Sequence, residues 1–266
     1  MVYQSPTPLR AITGISASNV WAAGDASAVV HWDGTAWTAG TVPAPSNTVL
    51  WSISAGGGSI QAAGQFGRIY TYNGTWTSAQ AGTLDLHAIW GNYAGGDDPN
   101  SIFADSMGTW SALPAAGAQL LGAWGNSAAV LMVGASQRIT RIIARAVTND
   151  TVTGPATTFR GIFGLSENQA WAVGTSGVVA SSNGTQWSEV TAAPGAELDA
   201  IWGTGTTNLW AVGDLGAIYH YDGSSWSSVP SGNVQGYNLN GIWGADAQTI
   251  WASAELNGMT GAIFQY

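Results

Sequence analysis

Seven times along the chain a short run of the form Leu-x-Ala/Gly-Ile-Trp-Gly recurs, and this repeat limits the fold more than anything else in the sequence. Its central residues are Ile12, Ile53, Ile89, Ala123, Ile162, Ile201 and Ile242, spaced by 41, 36, 34, 39, 39 and 41 positions. The clearest copy runs from Leu198 to Pro230 and reads with period two as four short strands, AIWG, NLWAV, AIYHY and WSSV. Such a unit is apolar on both faces and cannot bury them alone. Seven units at this period predict a closed ring of four-stranded antiparallel blades, an all-β propeller in which each blade packs on two neighbours.

The second strand shows as Val20-Trp21-Ala22, Ala170-Trp171-Ala172, Leu209-Trp210-Ala211 and Ile250-Trp251-Ala252. Strands three and four meet at Asp33-Gly34, Asn73-Gly74, Asn183-Gly184 and Asp222-Gly223, pairs suited to type I′ hairpins, with a Trp shortly after. Met107-Gly108 takes this place in the third copy, where no second strand is recognisable in GNYAGGDDPN. The last copy stops after GAIFQY, one strand short, and Val2-Tyr3-Gln4-Ser5-Pro6 resembles the missing piece. The N-terminal segment is therefore expected to complete the seventh blade and close the ring, with residues 1–266 forming a single domain.

Composition narrows the function classes. Six Arg and no Lys face fifteen acidic residues, a net charge of −9, which argues against a phosphate-contacting nucleic-acid surface and against anionic membranes. Without Cys there is neither a disulfide framework nor a thiolate metal site. No apolar run has membrane-spanning length, and the first residues do not read as a signal peptide. The polar, Gly-rich composition with few charges suggests a secreted or surface protein whose targeting segment lies outside this sequence, and a monomer is expected.

The hairpins HWDGTAW, SSNGTQW and HYDGSSW are similar to the Asp-box turn of sialidase-type propellers and, more loosely, to kelch repeats. The chain as a whole resembles the repeat β-propellers of secreted bacterial proteins. That resemblance implies fold; Asp-box residues are structural in such families and are not carried over as catalytic. A sialidase would also need an Arg triad, a Tyr nucleophile and its acidic partner, and no motif here identifies them.

One column varies while its neighbours stay small. The residue after the signature Leu, which is Phe159 in the fifth copy, reads Arg10, Trp51, His87, Leu121, Arg160, Asp199 and Asn240. The next position is Ala11, Ser52, Ala88, Gly122, Gly161, Ala200 and Gly241. The varied column is expected to ring one mouth of the central channel, either as a ligand-facing set or as solvent-exposed scatter. Its members Arg10, Trp51, His87, Arg160, Asp199 and Asn240 are the candidate ligand-binding residues, and His87 with Asp199 the candidate base and orienting acid if the mouth were catalytic.

Other features carry less chemistry. The aromatic after the central residue (Trp90, Trp124, Phe163, Trp202, Trp243) reads as a wedge between blades. Its loss at Thr13 and Ser54 suggests a pocket between blades one and two near Arg10 and Trp51. Arg138, Arg141 and Arg145 form a second candidate patch, either a cationic grip for an acidic ligand or ordinary ion pairs. His31 and His220 read as cross-strand hydrogen-bonding residues rather than metal ligands. The loop 92–100, with Asp97-Asp98, offers oxygens to Ca²⁺ but has no calcium-loop spacing, and no zinc or phosphate-binding motif is present, so neither metal nor cofactor is expected. The function expected is a non-catalytic recognition module, lectin-like and carbohydrate-binding, taking a glycan or other polar small ligand. The alternatives are a structural or protein-interaction propeller of a larger secreted assembly, and an enzyme working at the channel mouth.

Overall fold

The computed structural model describes every residue except 115–116 and 185. It is a seven-bladed propeller whose inner strands are Leu9–Ser16, Leu50–Ser54, Leu86–Trp90, Leu120–Gly125, Phe159–Ser166, Leu198–Gly205 and Asn238–Asp246. Within each blade, strands that follow one another in sequence lie side by side and antiparallel from the channel outward. The ring closes as expected. Tyr3–Ser5 pairs antiparallel with Thr260–Gln265, Tyr3 opposite Ile263, as the fourth strand of blade seven.

Two local expectations are corrected. Blade three does have a second strand, Tyr93–Gly96, inside the segment where none was recognisable. Its alternation is hidden because its inner residues are small, and at Gly95 they must be: an added side chain would meet Leu120 of blade four at 2.6 Å. The Asp-Gly hairpins are not type I′ either. Trp32 pairs with Trp37 and Tyr221 with Trp226, leaving four-residue loops in which only Gly34 and Gly223 have positive φ. Asn73-Gly74 lies in a three-residue loop between Tyr72 and Trp76. The Asp organises its turn directly, since Asp33 Oδ1 accepts the amides of Thr35 and Ala36, and Asp222 Oδ1 those of Ser224 and Ser225. The Thr35 hydroxyl foremost, with these amides, holds Asp33 down at about 2, and the Ser225 and Ser224 amides do the same for Asp222. Two-residue loops with positive φ at both positions occur at Met107-Gly108 and Ala144-Arg145, in blades three and four, which lack the Asp-Gly pair.

The signature itself is a packing rule between blades. A side chain added at Gly14 would meet the ring of Trp243, at Gly164 that of Trp124, and at Gly244 that of Trp202, with nearest atoms at 2.5–2.7 Å. Each Trp thus lies over the Gly of the next blade around the ring. Blade two breaks the rule on both sides of one contact: it has Ala55 in place of Gly, and the preceding blade has Thr13 in place of Trp. Trp90 covers Gly125 of blade four and also reaches back over Gly56 of blade two.

The small column has a similar origin. A side chain at Gly161 would meet the Asp199 carbonyl oxygen at 2.7 Å, and one at Gly122 the Arg160 carbonyl oxygen at 2.6 Å. Neighbouring inner strands approach so closely that the column is confined to Gly, Ala and Ser.

Candidate functional site

The varied column owes its freedom to a repeated β-bulge. In every blade the pairing of strands one and two slips at this residue: Leu9 pairs with Gly24 and Ala11 with Ala23, so Arg10 has no partner in the ladder. The same slip leaves Trp51, His87, Leu121, Arg160, Asp199 and Asn240 unpaired. A bulged residue is released from the pleat and can be aimed away from the sheet. All seven line one cavity of about 320 Å³ along the channel. Strict period two hides the bulge, yet the sequence holds a signal for it. Leu9 and Ile12, three apart, fall in one core cluster, as do Leu50 and Ile53, and Leu198 and Ile201, and an unbulged strand would place such pairs on opposite faces.

The candidates converge, but each polar one is held by a partner. Arg10 donates to both oxygens of Asp25 at 2.8 and 2.9 Å and to Glu255 of blade seven at 2.6 Å. Hydrogen bonding to Asp25, and its charge, hold the guanidinium above the usual value. Arg160 bridges Asp199 at 2.9 Å and Glu197 at 3.0 Å, both of blade six. His87 contacts Asp97 at 3.0 Å, so its carboxylate partner is Asp97 and not Asp199. Trp51 donates to Asp85, while Arg10 lies 5.5 Å from its ring centre and the His87 ring 5.0 Å. Asn240 donates to the Leu9 carbonyl.

The acidic half of this mouth carries no sequence motif, and its one signal is position. Asp25, Asp97 and Asp214 directly follow second strands, Glu255 holds the equivalent register in blade seven, and Asp85 and Glu197 directly precede signature Leu residues. With Asp199 they make seven carboxylates around two guanidiniums. Several also tie blades together, as Asp85 accepts the Phe66 amide and Glu197 the Ser176 amide of the preceding blade. Asp199 is the exception to this mutual satisfaction. Its Oδ2 is buried with no hydrogen-bond partner, and burial raises the carboxyl to about 6 against the pull of Arg160. Asp214 adds further repulsion.

Asp85, His87 and Asp97 bring one ligand atom each within 4.8 Å of one another, the donor set that a divalent cation would use. In this structure those residues bond to each other and to Trp51, Phe66 and Gln119. Asp97 therefore belongs to the mouth and not to a solvated insertion, whereas Asp98 accepts the Asn100 amide.

The remaining candidates lie elsewhere. Arg141 is bound to Asp150 at 2.7 Å and to the Glu167 carbonyl, joining blades four and five. Asp150 also takes the indole N–H of Trp187, and the adjoining Val152–Thr153 adds a parallel fifth strand to blade five. Arg145 sits on a hairpin tip and reaches Ser111 of blade three, and Arg138 lies beside Gly117. The three are thus spread along one strand and its ends. Thr13 and Ser54 line the same cavity as Arg10 and Trp51 but lie three residues further along their strands, about 10 Å toward the other end of the channel. His31 and His220 bond across strands as expected, to Asn19 and Asn208, which also hold the N–H groups of Trp21 and Trp210.

No family model matches the chain, and no curated protein matches it in sequence. Solved structures match in fold. YCF48 bound to D1 peptide superposes with a TM-score of 0.73 at 14% identity, covering 98% of this chain and 94% of that one. The WD40 propeller domain of Doa1 reaches 0.77 at 11% identity over 100% and 96%, and a chain of the Mitotic Checkpoint Complex 0.76 at 12% identity over 100% and 91%.

Proposed function

We propose that the protein is a non-catalytic recognition propeller whose bulge-side channel mouth grips a basic side chain of a partner polypeptide. The observation that carries this reading is the unpartnered Oδ2 of Asp199, the one carboxylate among the described residues that line the cavity beside Arg10 and Arg160, with six further carboxylates around the mouth. A buried acceptor without a donor is stabilised by a ligand that brings one, and an anionic funnel raises the local concentration of cations. The structural neighbours support a protein-binding role, since one is bound to a D1 peptide and another belongs to a Mitotic Checkpoint Complex. The enzyme reading has less support, because Arg10, His87 and Arg160 are each committed to carboxylates. A glycan stacked on Trp51 is also disfavoured at this mouth, because Arg10 and His87 already crowd that indole.

The test is fluorescence anisotropy with labelled Gly/Ser heptapeptides carrying one central Arg, Lys or Glu. The Arg and Lys peptides are expected to bind, to weaken with added salt, and to lose about tenfold or more in affinity for the Asp199→Asn, Asp214→Asn double variant. Equal binding of the three peptides, or an unchanged affinity in the double variant, overturns the reading.

A further inference from the structure

Far from the mouth, two clefts at the outer rim are built from the same columns of the repeat. Between blades one and two, Trp21 packs against Tyr72 at 4.8 Å and edge-on against Trp76 at 5.9 Å, beside a cavity of about 230 Å³ that Val29 and His31 also line. Between blades five and six, Trp171, Val179 and Ser181 face Tyr221 and Trp226 across about 430 Å³. In each, the Tyr and Trp rings of the outer hairpin lie 5.3 Å apart and tilted, by 49° and 33°, as a shallow V, whose two rings Trp21 also contacts in the first cleft.

At other blade junctions these columns carry different partners or different residues. Trp187 of blade five is only 1% exposed and is tied to Asp150. Trp37 of blade one lies 6.0 Å from Tyr3, and Trp210 of blade six 5.2 Å from Tyr266. Blade four has Val147 where the hairpin Trp would stand, and blade two has Gln61 in place of the second-strand Trp.

Neither lining contains Arg, Asp or Glu, although the chain carries a net charge of −9. His31, the one titratable nitrogen, is pushed down by burial and is therefore neutral at pH 7. Hydroxyls flank the rings instead, from Thr38 in the first cleft and from Ser181 and Ser225 in the second. Tilted aromatic faces beside uncharged hydroxyls match a ligand with both C–H faces and hydroxyl groups.

We infer that these two rim clefts are binding sites for a neutral pyranose residue of a glycan chain, separate from the channel mouth. The sugar's C–H face lies on Trp76 or Trp226, and its hydroxyls exchange hydrogen bonds with the flanking Thr and Ser. An uncharged site on an acidic protein selects against uronic acids and sialic acid, which the surrounding carboxylates repel.

The experiment titrates xylohexaose, cellohexaose and mannohexaose into the full chain, read by intrinsic tryptophan fluorescence and calorimetry. At least one is expected to bind saturably with two sites per chain. Thr38→Arg and Ser225→Arg fill the clefts from exposed positions without removing an aromatic, so each is expected to weaken its own site at least tenfold, and together they weaken both. Asp199→Asn leaves the binding intact, which separates this result from the peptide test. The inference is overturned if none of the three saccharides binds, if the double variant binds as the parent does, or if benzyl alcohol binds and no saccharide does, since the clefts would then serve apolar side chains.

Discussion

The two ends of the central channel are built from the same seven strands and follow opposite rules. At one end, Trp124, Trp202 and Trp243 each lie over the Gly of the next blade, so the repeat is locked and a change on one blade constrains its neighbour. At the other, the seven bulged positions carry six different residue types. Only three residues along one strand separate these regimes, as Asp199 and Trp202 show. The bulge is thus what allows a repeat fold to vary its chemistry without disturbing its packing. It frees one position per blade from the ladder, and the side chain there can reach across to a neighbouring blade, as Arg10, Arg160 and Asn240 do.

The sharpest challenge to this contrast lies on that single strand. Trp202→Ala is expected to cost about 3–5 kcal/mol in urea unfolding, through lost burial and the cavity left over Gly244. If Trp202→Ala proves nearly neutral, the locked end is not locked.

The next effect concerns pH. In the folded chain Asp199 titrates at about 6, above its ordinary value of 3.8. A carboxyl raised on folding binds its proton more tightly in the native state, so stability is expected to fall as pH rises from about 4 to about 6, by on the order of 3 kcal/mol. In Asp199→Asn that segment of the stability profile flattens. A parallel decline in parent and variant would assign the pH dependence to other groups.

The smallest effect sharpens the rule at its break. Thr13→Trp alone would drive an indole against Ala55, whereas Thr13→Trp with Ala55→Gly restores the arrangement of the other blades. A double-mutant cycle is expected to give a favourable coupling of about 1 kcal/mol. Additive effects would show that Ala55 and Thr13 departed from the pattern independently.

Much of this architecture is legible in the residues. The inner strands, the blade count and the closing strand follow from repeat spacing because each blade needs the same buried positions. The convergence of Arg10, Trp51, His87, Arg160, Asp199 and Asn240 on one channel is legible too, as the column that varies between fixed flanks. Their partners are not, because Asp25, Asp85 and Asp97 sit just outside the strands, and their place over the mouth depends on how blades turn toward one another. The hairpins depart from expectation for a local reason. Asp-Gly favours a two-residue turn in isolation, but the pairing of the Trp three residues beyond Gly fixes a longer loop, and the Asp side chain then organises it. The rim clefts are invisible to any single repeat, since each is made by the outer strands of two.

Tyr3 hydrogen-bonds into a strand whose partner residue, Ile263, is at the far end of the chain. The same seam is crossed by Arg10 reaching Glu255 and by Asn240 reaching the Leu9 carbonyl. Contacts of such sequence separation are expected to form slowly, because loop closure is paid before they contribute. The entropy of closing a loop grows only slowly with its length, by about 0.6 kcal/mol per doubling, so the seam is late to form although its span adds little to the penalty. Arg10 and Asn240 thus tie the mouth to the closure of the ring: the mouth is complete only when blades one and seven have joined.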